Sequence, residues 1–133
     1  MEKTGGGIED LRKTILLVDD DYAMRHILRS ILRQLGDFRF FEAENGMKAI
    51  ELMEENLPDL VFLDIIMPIL NGIETLQYMK KIQVLEKIQV IVCTAEGNLK
   101  TVQQAIDLGA KDFIRKPFNM DTVLVKARKW LQD

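Results

Sequence analysis

The sequence predicts an α/β fold, a five-stranded parallel sheet with helices on both faces. Three observations predict it. Short apolar runs alternate with amphipathic helical segments along the chain. The connections between them are short. The central run, Leu60-Val61-Phe62-Leu63, is apolar without alternation, the pattern of a strand buried on both faces. Strands and helices that alternate in this way form parallel sheets joined by right-handed crossovers.

Ile15-Leu16-Leu17-Val18 makes the first strand, opening at Thr14 and ending in Asp19-Asp20-Asp21. In the helix that follows, Met24, Ile27, Leu28, Ile31, Leu32 and Leu35 have the i, i+3, i+4, i+7 spacing of one buried face. One of the aspartates caps its N-terminus, where negative charge is favoured, and Gly36 stops it. Phe38 to Ala43 is the second strand, and Asn45-Gly46 is turn chemistry. A helix from about Met47 to Asn56 turns Ala49, Ile50 and Met53 inward and is closed by Pro58.

The third strand ends at Asp64. Pro68 to Gly72 is a loop, and Ile73, Leu76 and Met79 mark the next helix. Ile88 to Cys93, rich in β-branched residues, is the fourth strand, and Thr94-Ala95-Glu96-Gly97 is a loop. Leu99, Val102, Ala105 and Ile106 form one face of a fourth helix that Gly109 ends. Lys111 to Arg115 is a short fifth strand, ended by Lys116-Pro117. Met120, Val123, Leu124, Ala127 and Leu131 line the last helix.

Composition narrows the function. A chain of 133 residues is one domain and buries roughly two-thirds of its unfolded surface. The net charge of -3 argues against binding of nucleic acid by this segment, which needs a basic patch. The lone cysteine, Cys93, permits no intramolecular disulfide and suits a reduced, cytoplasmic setting. No stretch reaches the roughly 18 apolar residues of a membrane span, and residues 1–13 lack the apolar core of a signal peptide. Gly5-Gly6-Gly7 makes residues 1–13 a flexible extension, leaving 14–133 as the domain. His26 lies opposite the apolar face of its helix, Cys93 sits in a buried strand, and Trp130 is a packing or partner residue.

Four features fall just after strands, at one end of the sheet: Asp19-Asp20, Asp64, Thr94 and Lys116. Ligands of open α/β sheets bind at that end. Two like charges about 4 Å apart cost ~1 kcal/mol in water and ~4 kcal/mol near a protein surface. A divalent cation removes that conflict, and carboxylates without a His or Cys cluster suit Mg²⁺. Charge on a phosphoryl group in transfer would then be met by Mg²⁺, the Lys116 ammonium and the Thr94 hydroxyl, with Asp64 attacking in line.

The chain resembles the receiver domains of two-component response regulators. The likeness rests on Leu17-Val18-Asp19-Asp20-Asp21, on Leu63-Asp64-Ile65-Ile66-Met67-Pro68 with Asn71-Gly72, on Val92-Cys93-Thr94-Ala95, and on Gly109-Ala110-Lys111-Asp112-Phe113-Ile114-Arg115-Lys116-Pro117-Phe118. The resemblance implies a doubly wound, flavodoxin-like sheet of strand order 2-1-3-4-5. It implies that Asp64 is phosphorylated from a phosphohistidine on a sensor histidine kinase or histidine phosphotransfer protein. Asp20 would ligate Mg²⁺ directly, Asp19 mainly through water, and Ile66 through its carbonyl. Lys116, next to a cis peptide before Pro117, would pair with the carboxylate or phosphoryl oxygen. Thr94 would bond the phosphoryl group, Phe113 would turn inward, and a downstream effector would read the fourth helix, fifth strand and fifth helix. Ile66 and Glu96 occupy positions that tune the lifetime of the aspartyl phosphate. With no output domain after Asp133, the expectation is a chemotaxis-type single-domain receiver signalling by contact.

Two alternatives stand beside this reading. Asp19-x-Asp21 also resembles the nucleophile pair of haloacid-dehalogenase-type phosphatases, with Asp19 carrying the phosphate. That family needs an acidic pair downstream of its lysine, and after Lys116 only Asp121 and Asp133 follow. The other alternative is a receiver-like adaptor that is never phosphorylated. Such an adaptor has no need of Asp19, Asp20, Asp64, Thr94 and Lys116 together.

Overall fold

The structure, a computed structural model, describes residues 10–95 and 99–132. Strands and helices alternate: β1 (Thr14–Val18), α1 (Tyr22–Leu32), β2 (Arg39–Ala43), α2 (Gly46–Glu55), β3 (Leu60–Asp64), α3 (Gly72–Lys81), β4 (Gln89–Thr94), α4 (Leu99–Leu108), β5 (Asp112–Arg115) and α5 (Met120–Leu131). All pairings are parallel, in the order β2-β1-β3-β4-β5. Register aligns the carboxyl ends: Val18 pairs with Ala43 and Leu63, Asp64 with Cys93, and Thr94 with Arg115. The order reverses at β1 and β3, so the crevice of the sheet opens beyond their ends.

The unbroken apolar runs reflect two cores, one on each face of the sheet. Leu16, Val18, Val61, Leu63, Val90 and Val92 face α2, α3 and α4. Ile15, Leu17, Leu60, Phe62, Ile91 and Cys93 face α1 and α5. Successive side chains of a strand point to opposite faces, so each run feeds both cores.

Helix starts follow the sequence closely because short polar side chains cap them. Asp21 accepts from the Ala23 amide at 2.9 Å, and Asn119 from Thr122 at 3.0 Å. Asn71 and Glu74 form a reciprocal capping box at α3. Asn45 is a cap rather than part of a free turn: it accepts from Lys48, and Gly46 is already helical. Glycine is required there, because a Cβ on Gly46 would collide with Thr75 Oγ1 and lie 2.7 Å from the Leu70 carbonyl oxygen.

Several expectations are corrected. α1 ends at Leu32, before Gly36, because Gln34 and Leu35 donate to the Ile31 and Leu32 carbonyls and tighten the chain toward β2. Ile27 is 40% exposed, since the buried stripe of α1 narrows to Leu28, Ile31 and Leu32. Leu99 and Met120 are exposed rather than facing the core, each being the first residue of its helix. Within the expected N-terminal extension, residues 1–9 lie outside the described residues. Residues 10–13 are tied to β2: Asp10 pairs with Arg39, and the Arg39 amide donates to the Lys13 carbonyl.

Candidate functional site

The acidic turn after β1 divides its labour among three aspartates. Asp21 is spent on the α1 cap. Asp19 is buried, and one carboxylate oxygen accepts from the Asp21 amide at 2.9 Å. Asp20 is exposed. The turn is anchored to β2 from both sides of Asp19. The Asp19 amide donates to the Ala43 carbonyl at 3.0 Å. The Asp19 carbonyl accepts from Arg25 Nη1 at 2.5 Å, and Arg25 Nε is held by Glu42 at 2.7 Å. The sequence reading missed this clamp. The i, i+4 spacing of Asp21 and Arg25 suggests a helical ion pair, whereas the guanidinium reaches Asp19 and Glu42 instead.

Asp64 is the last residue of β3 and is buried. The ladder runs one residue further, with the Ile65 amide donating to Cys93. The chain then doubles back. Gly72 donates to the Ile65 carbonyl at 2.8 Å, and a Cβ on Gly72 would sit 2.5 Å from the Asp64 carbonyl oxygen. Only glycine lets α3 start against the residue that carries the candidate chemistry. Ile66 points into solvent, 77% exposed. Leu70 donates to the Pro68 carbonyl across Ile69, whose φ is 70°; this is a γ-turn with a positive central φ.

The structure brings Asp19, Asp20 and Asp64 together: one carboxylate oxygen from each lies within 4.8 Å of the others. Lys116 closes the group, its ammonium 2.6 Å from Asp19 and 3.2 Å from Asp64. It is placed by its amide, which donates to the Thr94 carbonyl, and is followed by a cis peptide to Pro117. Thr94 is buried at the end of β4, one residue beyond the Asp64 partner Cys93. Phe113 lies outside the acidic group. It is half-buried in β5, with its carbonyl accepting from Lys126 at 2.5 Å and its ring beneath that ammonium. Glu96 lies outside the described residues.

The electrostatics are those of a site short of positive charge. Burial, and then the Asp19 charge, push the Asp64 carboxyl up to about 6, with Lys116 only partly offsetting them. Burial works against the Lys116 ammonium, yet the Asp19 hydrogen bond and the Asp64 charge outweigh it and hold its pKa above the ordinary value. Among the described residues, three carboxylates gather beside one ammonium, which bonds two of them, and all the carboxylate donors are hard oxygens. Exposed Asp20 leaves one side open to water. That donor set fits Mg²⁺, which keeps several waters and takes few carboxylates.

The remaining residues singled out from the sequence stand apart. His26 is exposed and stacked on Tyr22, with no metal-binding group around it among the described residues. Burial pushes the Cys93 thiol up, so it stays a protonated core residue. Trp130 donates to Asp112 at 3.1 Å, and Lys126 pairs with the same carboxylate. Burial opposes ionisation of Asp112, but the Lys126 and Trp130 hydrogen bonds prevail and hold its carboxyl below the usual range.

Comparison with known proteins adds to this geometry. A family model described as "Response regulator receiver domain" matches residues 15–128. The chain is 44% identical over 117 residues to chemotaxis protein CheY of Bacillus subtilis, covering 88% of this chain and 96% of that one. It is 38% identical over 121 residues to sporulation initiation phosphotransferase F of the same organism, covering 91% of this chain and 95% of that one. The crystal structure of the receiver domain of NtrX from Brucella abortus superposes with a TM-score of 0.80 at 34% identity, covering 88% of this chain and 97% of that one.

Proposed function

Because the chain belongs to the response regulator receiver domain family, we propose that Asp64 accepts a phosphoryl group, with Mg²⁺, from a phosphohistidine on a sensor histidine kinase or histidine phosphotransfer protein. One observation carries the reading: a buried carboxylate at the switch point of the sheet, 3.2 Å from Lys116 and grouped with two further carboxylates.

Asp19, Asp20, Asp64 and the Ile66 carbonyl would hold the ion, which when bound neutralises the carboxylates and charge on phosphoryl oxygens. Ionised Asp64 attacks phosphorus. A P–O bond forms to one carboxylate oxygen, the P–N bond breaks, and the imidazole leaves with the electron pair and takes up a proton. Lys116, already shared between Asp19 and Asp64, pairs with a phosphoryl oxygen, and the Thr94 hydroxyl donates to another. Thr94 and Phe113 then shift together, and a downstream effector reads α4, β5 and α5. This is a signalling switch that assists its own phosphorylation and dephosphorylation. We place it in the cytoplasm; among the described residues, no helix is long and apolar enough to cross a membrane.

Two features weigh against Asp19 as the nucleophile of a phosphatase: one of its oxygens is bonded by the Asp21 amide and the other by Lys116. The test is incubation with Mg²⁺ and acetyl phosphate, followed by intact mass and peptide mapping. The expected product is a hydroxylamine-labile phosphoryl group on Asp64, absent from Asp64→Asn. A label on Asp19 would overturn the proposal.

A further inference from the structure

The acidic site leaves a second feature unused. A groove of about 560 Å³ runs between α2 and α3. Its walls are two helical stripes, each at i, i+3, i+4, i+7 spacing: Met47, Ile50, Glu51 and Glu54 on α2, and Glu74, Gln77, Tyr78 and Lys81 on α3. Leu70 also lines it. Met47 and Tyr78 are 49% and 39% exposed, large for residues of an apolar groove with nothing against it. Three glutamates border it against one lysine, so the groove is apolar within and acidic at its edges.

A hollow of about 490 Å³ shares Met47 and Glu51 with the groove and is edged by Ile69. Ile69 is a β-branched residue at φ 70°, 75% exposed, in the γ-turn after Asp64. That conformation is a strained outlier for a β-branched side chain. The side chain is turned outward, at the rim of that hollow.

We propose that this surface, the α2–α3 groove together with the adjoining hollow that Ile69 edges, docks a short amphipathic helix of a partner protein, apolar on one side and rich in lysine or arginine on the other. Both walls are helices whose backbone groups are already bonded internally, so the surface offers no ladder to an extended strand. A partner must satisfy its own backbone, as a helix does. Ten-residue α2 spans about 15 Å, enough for two to three turns of partner helix. Apolar anchors would meet Met47, Ile50, Tyr78 and Ile69, and basic side chains would meet Glu51, Glu54 and Glu74. Asp64 need not be phosphorylated for this contact, so its test is independent of the phosphoryl-transfer reading.

The test titrates the full, unphosphorylated chain, followed by amide chemical shifts, with a designed helical peptide carrying leucine at i, i+3, i+4 and i+7 and lysine elsewhere. A peptide with the same leucines and glutamate for lysine is the control. Shifts centred on Met47, Ile69 and Tyr78 are expected with the lysine peptide alone. Glu51→Lys with Glu54→Lys should weaken binding at least tenfold. Ile69→Gly should bind the peptide several-fold more weakly while melting at a higher temperature, since it relieves the strain and removes the contact. Shifts centred elsewhere, equal binding of the glutamate peptide, or unchanged affinity in the double variant would overturn the proposal.

Discussion

At Asp64 two environments compete for one carboxyl, and pH separates them. The folded-state pKa of about 6 lies above the ordinary 3.8, so the folded chain holds the proton more tightly than the unfolded chain. Without divalent cation, stability is therefore lost as pH rises from about 4 to about 6. Allowing for solvent screening, the loss is on the order of 1–2 kcal/mol. Asp64→Asn should escape it. Metal-free melts should show the variant gaining on the parent chain between pH 4.5 and 7.5; parallel curves would refute this cause. Ile66 supplies a second prediction. Its exposed side chain beside Asp64 cannot orient an attacking water, whereas an amide can. Ile66→Asn should shorten the lifetime of the phosphorylated form several-fold, read from loss of the added mass after acetyl phosphate is removed. At this scale the sequence was partly legible. Three adjacent aspartates announced an acidic site, but their division into one cap, one buried carboxylate and one exposed carboxylate depends on backbone direction. The Arg25 clamp joins the turn after β1, α1 and β2, so local spacing could not show it.

Among the elements, the junction of β3 with α3 tolerates little change. Gly72→Ala would force a methyl carbon within 2.5 Å of the Asp64 carbonyl oxygen and 2.7 Å of Ile65 Cα, both of them backbone. Neither can step aside without moving the end of β3. We expect a loss of about 2 kcal/mol or more by urea unfolding, together with slower phosphorylation, because the same shift misplaces Asp64. Normal stability and a normal rate would show that the loop yields freely. Element types and order were legible because apolar period and capping residues are local signals. Element ends were less so: α1 stops early through tightened bonds to Ile31 and Leu32, and the exposed first residues Leu99 and Met120 carry apolar side chains that the period alone assigns to the core.

For the whole molecule, cation binding and folding should be linked. If the acidic group holds Mg²⁺ only when folded, the ion should raise the melting temperature by about 5 °C at tenfold excess over its dissociation constant. The gain should be larger at pH 7.5 than at pH 5, where Asp64 is mostly protonated, and chelation should reverse it. Differential scanning calorimetry at the two pH values reads both; a gain independent of pH would place the ion elsewhere. The global fold was legible because burial on both sheet faces leaves a continuous apolar run, as in Leu60 to Leu63. The α2–α3 groove was not, since it exists only where two successive helices, separated by β3, lie side by side.

β3 is flanked by β1 and β4 and covered on both faces, and Phe62 at its middle is wholly shielded from solvent. No local fluctuation short of full opening frees that strand. Its deuterium uptake in native buffer is thus a gauge of global unfolding, readable without denaturant. The same strand ends in Asp64, so any slowing of that uptake when the aspartate is modified would report directly how much of the modification's free energy the whole molecule has absorbed.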